Sequence, residues 1–317
     1  MEGGGERFLV TGALGCIGAW VVRRLLDEGV EVAAFDLGTR DHRLRLVLDD
    51  AQLAGLTRIA GDVTSLDQLE AALDEHVITN VIHLAALQVP FCRDNPPLGA
   101  AVNVVGTVNV FEAVKRRRDR IRNVVYASSA AVYGPAHTSG VAPEDVLGWP
   151  ATHYGVYKLA NEGTARIYWA DDELPSIGLR PYVVYGPGRD QGVTSTPTAA
   201  MLAAAHGDDF HISFGGRTQF NYAPDVARAF ITASRSDHRG ALVANLAAPV
   251  VHMSEVVDAI AAAAPGTSTT YEDVQLPFPE ALEAVAFEEA LGAFEPTSLE
   301  QGVRETVEHF RTHDTVA

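Results

Sequence analysis

Residues 7–18 read RFLVTGALGCIG, a short β run at Arg7–Thr11 that passes directly into a turn with glycines at 12, 15 and 18. Helical apolar spacing follows over residues 17–28. A strand, a turn almost without side chains and then a helix form the opening unit of a parallel α/β fold. There the backbone can approach a pyrophosphate whose charge the helix N-terminus stabilises.

The alternation continues. Strand-like runs at residues 32–35, 56–60, 81–84 and 123–127 are separated by helical stretches at Leu66–Glu75 and residues 98–118. This pattern predicts an α/β chain with a doubly wound parallel Rossmann sheet. The second half is less regular. A helix over residues 152–170 precedes a strand at Ser176–Arg180, and a long loop rich in Gly, Pro, Ser and Thr occupies residues 185–198. Loops of that length inside a compact domain are usually functional. Shorter segments follow at residues 211–214, 225–233, 241–246 and 254–264, with a terminal helix at 298–311. Residues 1–175 are therefore expected to form the dinucleotide-binding Rossmann domain. Residues 176–317 are expected to form a smaller C-terminal α/β substrate-binding region interleaved with the sheet.

Charge narrows the partners. The 317 residues carry 24 Lys and Arg against 41 Asp and Glu, a net charge of −17, and this polyanion argues against nucleic acid. The one dense basic run, KRRRDRIR at residues 115–122, falls at a predicted helix C-terminus, where cations complement the dipole. Two cysteines, Cys16 and Cys92, are too few for a disulfide framework. No apolar run approaches the ~20 residues of a membrane span, and no apolar signal core precedes the first strand. The expectation is a cytoplasmic protein that engages no membrane. Eleven histidines without metal-ligand spacing predict no metal site.

Asp36, 24 residues past Gly12, closes the second strand. A carboxylate there accepts hydrogen bonds from ribose hydroxyls and repels a 2′-phosphate, which selects NAD over NADP. Arg40 lies close to this position. Tyr154 and Lys158 stand four apart near the start of a predicted helix, so phenol and ammonium share a face. An ammonium beside a phenol lowers its pKa from ~10 and makes it a usable base for an alcohol proton. Tyr157 is one position off that spacing and is expected to pack. A strand running into Ser128 and Ser129 supplies hydroxyls at a sheet carboxyl edge, where ligands bind in open α/β folds.

TGALGCIG, GDV at 61–63, HLAA at 83–86, NVVGT at 103–107, YASSAAVYG and YGVYK together resemble the extended short-chain dehydrogenases/reductases, the NAD-dependent epimerase/dehydratase family. The resemblance covers nearly the whole chain. It implies Ser129 as the catalytic serine, Tyr154 as the base and Lys158 as its partner. It also implies a cofactor-binding set of Gly12, Gly15, Cys16, Ile17, Gly18, Asp36, Asp62, Val63, Ala85, Ala86, Asn103, Tyr154, Lys158 and Tyr182. Asp62 and Val63 would meet the adenine, and Ala85 and Ala86 would flank the pyrophosphate. Asn103 would steady the strand and helix behind the tyrosine. Cys16 replaces the family's usual aromatic and is read as a small apolar residue. The resemblance further implies a homodimer contact through the helices at 98–118 and 152–170.

Two positions depart from the sugar-nucleotide epimerases. Val183 stands where an Asn helps bind the diphosphate, and Thr218 stands where an Arg is expected, with Arg217 one place early. A valine cannot hydrogen-bond a phosphate, and a threonine supplies one neutral donor in place of a bidentate cation. Gln88, Ser129, Arg189, Gln191, Thr194 and Ser195 form the candidate substrate set, and polar exposure of the loop alone is the competing account. Phe91, Arg93 and Thr196 lie beside them. The leading expectation is therefore an NAD-dependent oxidoreductase acting on a secondary hydroxyl of a free sugar, sugar acid or similar polyol. The alternative is a UDP-sugar-type epimerase or dehydratase with bound NAD, and the remote one is a non-catalytic dinucleotide-binding regulator.

Overall fold

The first strand, β1 (Arg7–Thr11), buries both faces. Phe8 and Val10 enter one hydrophobic core while Leu9 enters another, as the two-residue period of a strand requires. The computed structural model describes residues 5–137 and 140–313; the outermost residues of both expected domains, 1–4 and 314–317, lie outside the described residues. Thirteen strands follow: β2 (Glu31–Asp36), β3 (Thr57–Ala60), β4 (Asn80–His83), β5 (Val124–Ala127), β6 (Val141–Ala142), β7 (Ser176–Arg180), β8 (Val183–Tyr185), β9 (Phe210–Ile212), β10 (Arg217–Tyr222), β11 (Ala241–Asn245), β12 (Val250–His252), β13 (Thr269–Tyr271) and β14 (Ala281–Leu282). Seven of them build the central sheet in the order β11-β7-β5-β4-β1-β2-β3, and every neighbouring pair is parallel.

Helices cover both faces. Val21, Val22 and Leu25 of helix Cys16–Asp27 pack with Val226 and Phe230 of helix Ala223–Arg235 against Phe8 and Val10. On the other side Leu69, Leu73, Val110, Phe111 and Ala165 meet Leu9 and Phe35. The strand order reverses between β1 and β4, and a crevice opens outside their carboxyl ends. Two strands of this sheet, β7 and β11, come from beyond residue 175, so the second half of the chain completes the sheet.

A second layer packs over the crevice. It combines the three-stranded sheet β12-β10-β8 with helices Thr196–His206, Met253–Ala263 and Leu299–Thr312, around Met201, Ile212, Phe220, Met253, Val303 and Phe310. The predicted helix at 98–118 is the continuous 20-residue helix Pro96–Lys115, which, against the expectation that no apolar run reaches that length, is long and apolar enough to cross a membrane. Its inner face, with Val110, Phe111 and Val114, is buried in the core beneath the sheet. Within it, residues Ala101–Val105 form a π turn that the spacing did not predict.

Candidate active site

The glycine turn leaves no space for side chains. A Cβ on Gly12, which has φ +70°, would stand 2.6 Å from the Ala85 nitrogen, and one on Gly18 would stand 2.2 Å from the Gly12 oxygen. The Gly15 N–H donates to the Gly12 carbonyl, and Gly15 caps helix Cys16–Asp27 with no side-chain hydrogen bond, leaving the first helical N–H groups for an anion. Asp36 closes the cradle: its Oδ2 accepts from Leu14 N–H at 3.0 Å and its Oδ1 from Gly38 N–H at 2.9 Å. Each oxygen keeps a lone pair for a ribose hydroxyl. These residues fit a dinucleotide: Gly12, Gly15, Cys16, Ile17 and Gly18 would hold its pyrophosphate, and Asp62 and Val63 line the same cleft. Cys16 lies against Pro187, and burial pushes its thiol up to about 11, so it is not a reactive thiolate.

Behind Ala85 and Ala86 a hydrogen-bond chain has only one self-consistent direction. Thr107 Oγ1 donates to Asn103 O at 2.8 Å, so it accepts from His83 Nε2 at 3.1 Å. His83 Nδ1 then accepts from Thr11 Oγ1 at 2.7 Å, and Thr11 Oγ1 accepts from Ala85 N–H. Burial lowers His83 to about 3, so the ring is neutral and this one tautomer persists. Asn103 does not line the cleft. It is buried and clamps Leu87 from both sides, its Oδ1 accepting from Leu87 N–H at 2.7 Å and its Nδ2 donating to Leu87 O at 2.9 Å. The Asn103 carbonyl also accepts from Asn161 Nδ2 at 2.9 Å. Its place is therefore behind the cofactor wall and not in the cofactor-binding set where the sequence put it.

Ser129, Tyr154 and Lys158 converge at the cleft floor. Ser129 is extended, with φ −166° and ψ 151°, and its Oγ accepts from Ala131 N–H. Tyr154 lies in the first turn of helix His153–Asp172, which Thr152 caps. Burial raises its phenol above the ordinary value, while a hydrogen bond with Ser129 and the charge of Arg189 pull it back. Lys158 sits one turn on, over the tyrosine ring at 5.5 Å from the centroid, and donates to Ala127 O at 2.6 Å. Beside the ammonium that the sequence expected to tune the phenol, Ser129 and Arg189 also lower it. Burial lowers Lys158 to about 8. Tyr157 turns away and donates to Pro96 O.

The cleft, of about 740 Å³, is lined beyond the catalytic cluster by Gln88, Tyr182, Val183, Arg189, Gln191 and Thr194. Arg189 donates to Thr194 Oγ1 at 3.1 Å, and its Nε and the Gln88 Oε1 are buried without partners. Ser195 falls outside the lining: its hydroxyl donates to Gly192 O, closing the turn that leads into helix Thr196–His206. Tyr182 is anchored by its hydroxyl on Pro279 O and by its N–H on Asn221 Oδ1. Thr218 is buried outside the cleft lining, and Arg217 is exposed, donating to Val250 O. Three contributors escaped the sequence reading. Phe278 reaches the cleft from the far end of the chain, with no local signal. Arg43 and Asp190 tie the polar loop to the glycine turn: Arg43 donates to Asp190 Oδ1 at 2.7 Å and to Leu14 O at 3.1 Å.

A doubly wound sheet, a glycine cradle closed by an acid and a Ser–Tyr–Lys cluster at the sheet's carboxyl edge define an NAD-dependent enzyme of the short-chain dehydrogenase/reductase type. The chain belongs to the NAD dependent epimerase/dehydratase family, which it matches over residues 8–247. It is 34% identical to a UDP-glucose 4-epimerase of Mycolicibacterium smegmatis, over 72% of each chain. It is 33% identical to UDP-glucuronate 4-epimerase 5 of Arabidopsis thaliana, over 58% of this chain and 43% of that one. Among solved structures, UDP-glucose 4-epimerase of Thermus thermophilus in complex with NAD has a TM-score of 0.81 at 27% identity, covering 96% of this chain and 99% of that one. MoeE5 in complex with UDP-glucose and NAD has a TM-score of 0.78 at 31% identity, with the same coverage.

Proposed function

We propose that this chain is an NAD-dependent epimerase acting on a nucleotide-diphosphate sugar of the UDP-hexose or UDP-hexuronate type. The observation that carries the reading is Arg189. A half-buried guanidinium whose Nε is buried without a partner beside Tyr154 is costly unless an anion completes it, and a diphosphate or a sugar carboxylate supplies one. The UDP-sugar 4-epimerases among its relatives support the same substrate class, ahead of the free sugar or sugar acid expected from Val183 and Thr218.

When bound, NAD supplies reversible hydride acceptance at the carbon that bears the reacting hydroxyl. Tyr154 takes the hydroxyl proton and returns it, Ser129 holds the oxygen between the two events, and Lys158 fills the floor below them. Gln88, Gln191 and Thr194 present neutral donors and acceptors to sugar hydroxyls. A second reading, net oxidation of a free sugar or sugar acid, keeps two observations in its favour: Val183 presents an apolar wall, and Arg217 is exposed and absent from the cleft lining. The proposal includes a homodimer built on helices Pro96–Lys115 and His153–Asp172.

The test is to incubate the NAD-loaded protein with UDP-glucose, UDP-glucuronate and their free sugars, resolving products by chromatography while following absorbance of reduced cofactor. Formation of the 4-epimer of a UDP-sugar without net NADH is the expected result. Stoichiometric NADH from a free sugar, with nucleotide sugars unchanged, overturns it.

A further inference from the structure

Tyr154, Lys158 and Glu162 follow one another at four-residue spacing along helix His153–Asp172, so they share a face. The first two reach the cleft, whereas Glu162 is 5% exposed and lies behind it. Its Oε1 accepts from Ser128 Oγ at 2.5 Å and from Arg180 Nε at 2.7 Å, and its Oε2 accepts from Arg180 Nη2 at 2.7 Å. The third arm of Arg180 donates to the Tyr133 hydroxyl at 2.8 Å and to Glu144 O. Tyr133 in turn accepts from Asn245 Nδ2 at the end of β11. A charged cluster thus spans the catalytic helix and the carboxyl ends of β5, β7 and β11.

We propose that Glu162 is a positioning residue for the reaction: by holding the Ser128 hydroxyl against the helix, it turns the next side chain, Ser129, into the cleft at Tyr154. The argument is one of alternation. Ser128 N–H donates to Leu179 O and Ala130 N–H to Pro181 O, so the chain through Ser129 stays extended along the end of β7. In an extended segment neighbouring side chains face opposite ways. Fixing Ser128 on Glu162 therefore fixes Ser129 toward the phenol, and the two serines divide the work between them. Arg180 aims the carboxylate, its Nε and Nη2 each holding one of the two carboxylate oxygens at 2.7 Å.

The consequence reaches Tyr154 itself. The groups facing its phenol are Ser129 from the strand end, Arg189 from the polar loop, Cys92 from helix Val89–Asp94 and Lys158 on its own helix. Burial raises the phenol, and the Ser129 hydrogen bond is the first of the influences that lower it. Loosening Ser129 removes that influence and leaves the others in place.

The inference rests on the assignment of Ser129 and Tyr154 but not on the identity of the substrate, and its test separates the two. In the NAD-loaded protein, phenolate absorbance is titrated for wild type, Tyr154→Phe, Ser128→Ala and the double variant, and each pair's difference isolates Tyr154. Ser128→Ala keeps the Glu162–Arg180 pair intact, so it is expected to fold. Its Tyr154 titration is expected to move to higher pH with NAD content unchanged, and with an active substrate its kcat falls about ten-fold at a near-constant KM. Glu162→Gln is expected to show the same shift together with a lower Tm. An unmoved Tyr154 midpoint in Ser128→Ala, with unfolding alone affected, overturns the proposal and leaves the cluster a purely structural one. Because the titration needs no substrate, failure of the epimerase reading does not obscure it.

Discussion

Gly18 has no room for one more carbon. A Cβ would stand 2.2 Å from Gly12 O and 2.8 Å from the Ala13 Cα, both backbone atoms that no rotamer can move. Gly18→Ala is therefore expected to displace the turn and weaken NAD binding by at least about ten-fold, roughly 1.4 kcal/mol. Calorimetric titration with NAD is the measurement, and an unchanged affinity would show that the pyrophosphate does not use this turn. Lys158 carries a pH prediction. Its native pKa, about 8 against an ordinary 10.5, makes the charged form costly in the fold. Between those two values the unfolded chain binds the extra proton, so stability from this group rises with pH across that window and is lost below it. Relative to Lys158→Met, the wild type without added NAD is expected to gain on the order of 2–3 kcal/mol from pH 8 to 10.5, read from urea midpoints. Much at this scale was legible. The glycines, Asp36, Tyr154 and Lys158 announce themselves because chemistry and spacing coincide in one short stretch. Ser195 looked like a ligand contact because a polar side chain in sequence does not reveal its partner, and Gly192 satisfies it from within the fold; Asn103, grouped with the cofactor contacts, instead holds Leu87 and the catalytic helix, the steadying place the resemblance also implied.

Helix Pro96–Lys115 shows what an element can hide. Within its π turn the Asn103 carbonyl accepts from two side chains, Thr107 and Asn161. The extra residue in that turn accompanies an Asn103 side chain that reaches the Leu87 backbone while its carbonyl faces the catalytic helix. Asn103→Ala would leave Leu87 N–H unpaired in a half-buried wall and its C=O with only the weak Cys92 thiol donor, a cost of about 2 kcal/mol. Urea unfolding is expected to show that loss, and a change under about half a kilocalorie would mean that water replaces the amide. Nothing in the apolar spacing of 98–118 marks such a turn, since its side chains keep nearly the same faces. Strands fared according to their pattern. β7 was found at its true bounds because its apolar run is buried throughout. β10, RTQFNY, was missed because its interior polar side chains find their partners in distant segments: Gln219 donates to Leu282 O and Asn221 to Leu246 O. Short helices such as His42–Val47 and Asp50–Gly55 complete too few turns to show a period.

At the scale of the molecule, charge and shape say different things about partners. The basic run at 115–122 offers no patch, because its cations are spent within the chain: Arg116 pairs with Glu70, Arg117 and Arg120 with Asp74, Lys115 with Asp172 and Arg122 with Asp237. Arg117 and Arg120 hold the Asp74 carboxyl well below its usual range. The apolar surface is less settled. Leu98 and Val105, seven apart on helix Pro96–Lys115, are each 49% exposed, and Val156 and Ile167, eleven apart on the adjacent helix His153–Asp172, are 47% and 59% exposed. Both spacings repeat a helix face, so two neighbouring helices present apolar stripes to solvent while their opposite faces serve the core. A second copy, related by a two-fold axis, would cover these stripes with the same stripes. Placing a glutamate at Val156 and at Ile167 sets like charges against each other across that axis. Sedimentation of the double variant is expected to give a monomer of 33.8 kDa where the wild type gives twice that mass. A wild type already monomeric at micromolar concentration removes the dimer. Since helix His153–Asp172 carries Tyr154, Lys158 and Glu162 on its inner face, the dimer contact would stiffen the same helix that aligns the chemistry. The double variant is then expected to lose Tm as well as mass, and a monomer of unchanged Tm would separate assembly from the stability of the site.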